Sequence, residues 1–447
     1  MKKILLLGAG RSATILIEYL LNVCEKKGWQ LIVADANIKV AKQKVNRHAC
    51  GKTVSFDVHN KEQLNKLVSK SDLVISMLPA GFHITVLESC LSNRCNLLTA
   101  SYLTPEMKAL DREAKEKGIL MLTECGLDPG IDHMLAMQVI DRIRDEGGII
   151  IGFESFTGGL LASDMIENPW QYKFTWNPRN VVLAGQGGVK FLQEGRYKYI
   201  PYHRLFRRTE IVFIPNYGYF EGYANRDSLK YREIYGLKNI RTMYRGTLRR
   251  PGFCKTWDVF LQIGATDDTY EMEGVKKMTH RQFINSFLYY NRSDSIELKL
   301  AHYLNLDIDS EEMHKLKWIG VFDNEPVGLE KGTPAQILEH ILKKKWTMSE
   351  EEADMIVMWH KFNFKLNDVL REIHATLVTI GENQEKTAMA KMVGLPLGIA
   401  AKLIVEGKIS EKGAHIPIKK VFYDPILKEL VNKFGCDFIE EEIKNPA

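Results

Sequence analysis

Four consecutive apolar residues, Ile4, Leu5, Leu6 and Leu7, stand just ahead of Gly8-Ala9-Gly10. A short unbroken run of this kind reads as a strand buried on both faces. Past the glycines the apolar positions change period. Ala13, Leu16, Ile17, Leu20 and Leu21 recur at helical spacing, so the pattern predicts strand, tight turn and helix. Five more strands follow at 31–37, 52–58, 71–81, 96–102 and 118–126, with a helix over 61–70 carried by Leu64, Leu67 and Val68. Six such units predict a doubly wound parallel sheet ordered 3-2-1-4-5-6.

After about residue 148 the pattern changes. IIIGFESFTGGL, VVLAG, YKYIPY and EIVFIP are strand-like and aromatic, and WDVFLQIGATDD extends them to about residue 268, which predicts a mixed or antiparallel sheet. Residues 272–365 read as helical, with start signals at Thr279-x-x-Gln282, Thr333-Pro334-x-Gln336 and Ser349-x-x-Glu352. EIHATLVTIGE, 372–382, returns to alternation. An apolar helix at 387–407, broken at Gly394-Leu395-Pro396, is expected to pack across domains or subunits. The amphipathic helix at 424–435 is placed to close over the first domain. No apolar run approaches a membrane span. The expected fold class is α/β: a Rossmann doubly wound sheet plus a mixed α+β substrate and dimerisation domain with a helical insertion. The expected boundaries are 1–130 with 387–447, then 131–271 with 366–386, then 272–365.

Composition narrows the function classes. The chain has 447 residues, 45% hydrophobic and 26% charged, which suits a soluble protein of two or three domains. A net charge of +5 is small for this length. It argues against nucleic acid or a membrane as partner and fits a basic site for an anionic substrate. Seven scattered cysteines with no C-x-x-C point to reduced thiols in a cytoplasmic setting, not to disulfides or zinc. No metal site is expected. A strand that begins at residue 4 leaves no room ahead of it for a targeting peptide.

The first turn carries the chemistry. Gly8-x-Gly10-x-x-Ala13 matches the dinucleotide-binding fingerprint: Gly8 for the turn, Gly10 for the approach of a pyrophosphate, Ala13 for helix–strand packing. The helix start offers N–H groups to phosphate. Asp35, at the end of the second strand, is placed to accept ribose hydroxyls, which favours NAD over NADP. Strand ends then set one rim: Gly8 to Ser12, Asp35, Asp57, Leu78, Pro79, Ala100, Ser101, Tyr102, Gly126 and Asp128. Asp128 reads as a helix N-cap with Pro129 at the first helical position, and His133 as a packed or capping residue. In the second half Arg226, Arg241, Arg245, Arg249 and Arg250 sit near glycines and aromatics. Such guanidinium forks suit a substrate with several carboxylates. YKFTWNPRN, 172–180, reads as a strand with an aromatic face, and Trp176 as a flank for the nicotinamide.

These residues carry a resemblance. DLVISMLP (72–79), TASYLTPEM (99–107), GLDPGIDHMLAM (126–137), Gly158-Gly159-Leu160, NPWQYKFTWNP (168–178), YANRDS (223–228), YRGTLR (244–249) and AMAKMVGLP (388–396) are similar to the glutamate-forming saccharopine dehydrogenase family. The likeness is above all to the dehydrogenase half of the bifunctional lysine-degrading enzyme. The resemblance implies that saccharopine loses hydride to NAD(P), and that the imine is hydrolysed to glutamate and 2-aminoadipate 6-semialdehyde. It implies substrate contacts from Ser101, Tyr102, Asp128, Arg226, Thr247, Leu248 and Arg249. It implies dinucleotide contacts from Gly8, Gly10, Arg11, Ser12, Ala13, Asp35, Asp57, Val58, Leu78, Pro79, Ala100, Gly126, Leu127, Asp128, Asp132 and Trp176. Asp128 and Tyr102, each through water, are the candidates for the base. A homodimer is expected. The chain departs from the family at Phe156-Thr157, where a Tyr-Cys pair is common, and at 161–164, where Pro-Ala-Pro-Glu is usual; a catalytic cysteine is therefore not expected. Two other readings are a reductase acting on a carboxylated polyamine and a non-catalytic dinucleotide scaffold.

Overall fold

The computed structural model describes residues 1–162 and 167–443; Ser163 and Asp164 of the departing loop lie outside the described residues. The chain forms two compact units. The first comprises Met1–Ile149, Leu366–Val369 and Leu377–Ile439, and the second Ile150–Lys365, Leu370–Thr376 and Glu440–Ala447. The first division falls at residue 149, not 130, because the helix Ile131–Asp145 packs against the C-terminal helix Lys420–Phe434. The described residues form two units and not three: the helical stretch belongs to the second.

In chain order the strands are β1 (Lys3–Leu7), β2 (Gln30–Asp35), β3 (Gly51–Ser55), β4 (Leu73–Ser76), β5 (Asn96–Thr99), β6 (Leu120–Leu122), β7 (Ile149–Leu161), β8 (Val189–Gln193), β9 (Arg196–Ile200), β10 (Thr209–Ile214), β11 (Gly218–Ala224), β12 (Thr242–Arg249), β13 (Asp354–Leu366), β14 (Val369–Ile380), β15 (Gly413–His415) and β16 (Ile439–Ile443). The first sheet is ordered β15-β6-β5-β4-β1-β2-β3, all parallel. It is the expected order with one strand added, β15, returned from the C-terminal segment. Ile4 to Leu7 are fully buried, as a strand covered on both faces must be.

The helix Ala388–Val405 belongs to this unit and runs unbroken through Pro396, so the expected break is corrected. It lies against the helix Thr14–Lys27. A Cβ on Gly394 would meet the Leu16 amide nitrogen at 2.9 Å, so the missing side chain permits close helix–helix approach where a break was expected. Its length and composition suffice for a bilayer span, yet 72% of it is buried.

The second sheet follows the path β10-β11-β12-β7-β13-β14-β16, with β8 pairing β12 and β9. β12 runs parallel to β7 and antiparallel to β11. Four expectations fail here. VVLAG enters the short helix Pro178–Val182. WDVFLQIG is part of the helix Phe253–Ile263, whose Phe253, Trp257 and Phe260 recur at i, i+4, i+7 and are buried; the aromatic content masked the helical period. YKFTWNPRN forms no strand beyond one bridge, Phe174 to Thr347. Tyr172, Phe174, Trp170 and Trp346 instead pack edge to face with ring centroids 5.0 to 6.2 Å apart. Ser349-x-x-Glu352 opens β13 and not a helix: the Ser349 amide donates to Glu352 Oε2 at 2.6 Å, and Glu352 also binds Lys173. Both other start signals form capping boxes.

Candidate functional site

The strand–turn–helix of the first unit meets the demands of a dinucleotide. Gly8 has φ +98°, and a Cβ there would meet the Met77 carbonyl oxygen at 2.9 Å, so backbone crowding requires the glycine. Gly10 has φ −61° and nothing within 4 Å of a built Cβ; the space above it is open. Arg11, Ser12 and Ala13 form a 3-10 turn that leads into the helix, and Ala13 is buried. The residues present therefore fit a pyrophosphate at this turn.

Asp35 braces the turn. The Ala9 amide donates to its Oδ2 at 2.6 Å and the Asn37 amide to its Oδ1 at 2.7 Å. Beside it stands a group that sequence reasoning missed. Lys44, on the helix Ile38–Val45, donates from Nζ to the Gly10 carbonyl at 2.5 Å. Burial pushes this ammonium down to about 8, against the pull of Glu385 and Asp35. A lysine on the solvent-facing pattern of a helix gave no sequence signal.

Further along the rim, Asp57 is exposed and accepts the His59 amide at 3.0 Å. Val58 and Leu78 pack half-buried on the core, and Pro79 is exposed. A Cβ on Gly126 would meet Ala100 Cβ at 2.9 Å, so these two residues hold the ends of β5 and β6 close. Leu127 is buried, and Ser101, Tyr102 and Asp128 are half-buried. Asp128 is not the expected N-cap. The Asp128–Pro129 peptide is cis, and the helix starts at Ile131 with Gly130 as its cap. The Gly130 amide donates to Asp132 Oδ1 at 2.6 Å, so Asp132 braces the loop. His133 is packed, as expected, but between acids: its Nε2 lies 2.8 Å from Glu124 Oε2 and its Nδ1 3.5 Å from Asp132 Oδ2, all three buried. Glu124 also accepts the Leu103 amide at 3.0 Å.

In the second unit the arginines divide. Arg226, with φ +50°, and Arg241 are exposed, whereas Arg245, Arg249 and Arg250 are buried. Arg245, Thr247 and Arg249 alternate along β12 and so share one face. The opposite face takes the ring of Phe156, which covers Gly246 and Gly222; a Cβ on either would lie within 2.6 Å of the ring. The Arg249 guanidinium sits over the rings of Tyr172, Phe253 and Tyr223 at 4.8, 5.3 and 5.9 Å. It donates to the Leu248 carbonyl at 2.8 Å, and its Nε has no hydrogen-bond partner. Thr157 stands opposite Thr247 in the β7–β12 register. Its buried Oγ1 and the Tyr172 hydroxyl are also without partners. Trp176 is half-buried.

A parallel sheet with a glycine turn and an acid-tipped second strand defines the nicotinamide-dinucleotide-binding oxidoreductases. The chain belongs to the saccharopine dehydrogenase family: the family's NADP binding domain matches residues 4–122 and its C-terminal domain residues 126–436. The mitochondrial alpha-aminoadipic semialdehyde synthase of Rattus norvegicus is 34% identical over 96% of this chain and 46% of its own length. The chain thus spans about half the length of the synthases it matches. The L-glutamate-forming, NADP(+)-dependent saccharopine dehydrogenase of Pyricularia oryzae is 31% identical over 99% of both chains. The apo L-Glu-forming saccharopine dehydrogenase of Saccharomyces cerevisiae superposes with a TM-score of 0.89 at 29% identity, over 99% of this chain and 100% of that one.

Proposed function

We propose that the chain oxidatively cleaves L-saccharopine to L-glutamate and L-2-aminoadipate 6-semialdehyde, with a nicotinamide dinucleotide. The observation that carries this reading is the state of Arg249. A buried guanidinium whose Nε has no partner is costly, and the ring faces and the carboxylate of Glu221, opposite it in the β11–β12 register, offset only part of that. Arg249, Thr157 and Tyr172 together leave one buried N–H and two hydroxyls for a ligand, which suits a carboxylate of a tricarboxylate amine. A polyamine would call for acids where β12 places guanidinium groups.

When bound, the dinucleotide supplies the hydride acceptor. Gly8 to Ala13 hold its phosphates, and Asp35 meets its ribose. NAD is the preferred form, since Asp35 disfavours a 2′-phosphate. Lys44 beside that carboxylate, with Arg11 near it, moderates the preference, so NADP is used less well. Ser101, Tyr102 and Asp128 face the substrate, and Asp128 or Tyr102 takes the amine proton through water. The test is purified protein with saccharopine and either NAD or NADP, followed by absorbance of the reduced cofactor. Reduction that depends on saccharopine, faster with NAD, is expected. None with either cofactor overturns the reading.

A further inference from the structure

His83 lies wholly within the first unit and carries none of the roles above. It is the first residue of the helix His83–Ser92, directly after the turn Ala80–Phe82 that continues the Leu78-Pro79 loop. Its ring is 1% exposed and spans two strand ends. Nδ1 lies 2.9 Å from Ser76 Oγ at the end of β4, and Nε2 lies 2.7 Å from Ser101 Oγ just past the end of β5. Thr99 Oγ1 is a weaker neighbour of Nε2 at 3.4 Å, and it also accepts the Ser101 amide at 3.2 Å. Both ring nitrogens are thus engaged by side-chain hydroxyls, and among the described residues no carboxylate is bonded to the ring.

We propose that His83 is a positioning residue: its ring fixes the direction in which the Ser101 hydroxyl meets the substrate. The inference rests on the reading of Ser101 as a saccharopine contact. A free serine hydroxyl samples three staggered directions. A ring nitrogen 2.7 Å away removes that freedom. The neutral ring carries one N–H and one lone pair, so the order Ser76–His83–Ser101 has a single polarity. Burial pushes the ring down to about 4, which keeps it neutral at ordinary pH. An imidazolium would donate at both nitrogens and reverse one of the two bonds. The chain of groups ends on Ser76, which is fully buried, so it orients a hydroxyl and leads no proton to solvent.

Two substitutions separate the ends of the ring. An asparagine amide reaches the place of Nδ1, whereas a glutamine amide reaches that of Nε2. His83→Asn therefore keeps a partner for Ser76 and loses the one for Ser101; His83→Gln keeps the latter. The expected result is that His83→Asn lowers kcat/KM for saccharopine about tenfold or more, the order expected for loss of one oriented hydrogen bond. The dinucleotide Kd should stay within about twofold, and His83→Gln should recover most of the activity. Wild-type rates in both variants overturn the proposal. So does an equal loss in both with weakened dinucleotide binding, since the ring then only supports the Leu78-Pro79 loop. If the unaltered protein does not turn over saccharopine, the functional reading falls, and ring 15N resonances decide the positioning. A Ser101→Ala change that moves Nε2 and spares Nδ1 supports it; an unmoved Nε2 overturns it.

Discussion

On β12 the Arg249 guanidinium is buried against three aromatic rings, with the buried Glu221 opposite it in the β11–β12 register and its Nε without a hydrogen-bond partner. Removing one of two buried opposite charges leaves the other uncompensated and costs stability. Arg249→Met is therefore expected to lower the melting temperature, whereas Arg249→Lys, which keeps the charge beside Glu221, should hold it within a few degrees and still lower kcat/KM for saccharopine about tenfold or more, through loss of the bidentate contact. Calorimetry and steady-state rates check the two halves. Unchanged kcat/KM in Arg249→Lys would show an arginine that serves only the fold. Lys44 makes a second residue-scale prediction. Its folded value of about 8 lies below the ordinary 10.5, so the ammonium is lost as pH rises through 8. The kcat/KM for the dinucleotide reports the free enzyme and should fall across that pH. In Lys44→Met this limb should be absent. His83 works in the acid range. Its folded value of about 4 lies below the ordinary 6.5, so the unfolded chain binds the extra proton first. Stability is lost as pH falls from about 6.5 towards 4, by on the order of 2–3 kcal/mol, and His83→Gln should flatten that part of a denaturation profile.

At the scale of elements the glycine turn separates folding from binding. Gly8 needs a positive φ and has a carbonyl 2.9 Å from a built Cβ, whereas Gly10 has an ordinary φ and open space. Gly8→Ala is expected to destabilise the first unit by roughly 1–3 kcal/mol. Gly10→Ala should fold normally and bind the dinucleotide at least about tenfold more weakly, since its methyl occupies the pyrophosphate approach. Equal melting temperatures for the two variants would contradict this account. Most of the first sheet was legible in the sequence because β1, β2, β4, β5 and β6 carry apolar runs between helices of clear period, from Ile4 to Leu122, whereas β15, three residues with no such run, was not. The second unit was less so. Trp257 and Phe260 belong to a buried helix whose aromatic residues imitate a strand, and Tyr172 and Phe174 alternate in a segment that pairs with almost nothing. The site divides the same way. Gly8, Gly10 and Asp35 follow a spacing rule, while Lys44 and His83 acquire meaning only when the fold brings them to Gly10 and Ser101. Asp128 misled because a proline after an acid resembles a helix start, and the helix begins at Ile131.

For the whole molecule, burial governs the chemistry of the seven cysteines. Cys24, Cys90, Cys95, Cys125, Cys254 and Cys436 are buried, and Cys50 is half-buried. Burial pushes Cys24, Cys95 and Cys125 up to about 12 and raises Cys90, Cys254 and Cys436 as well. The thiolate is the reactive species, so six thiols are protected twice, by access and by proton affinity. All seven are free of disulfides. A dithiobis-nitrobenzoate titration at pH 8 should therefore find one fast thiol in the folded protein, lost in Cys50→Ser, and seven after denaturation without reductant. Two or more fast thiols would show that a unit opens more readily than its packing implies. Fewer than seven in denaturant would reveal a disulfide that the fold does not contain. The count has a bearing on activity as well: with Thr157 where a cysteine is common in the family, modification of the one fast thiol should leave saccharopine turnover unchanged.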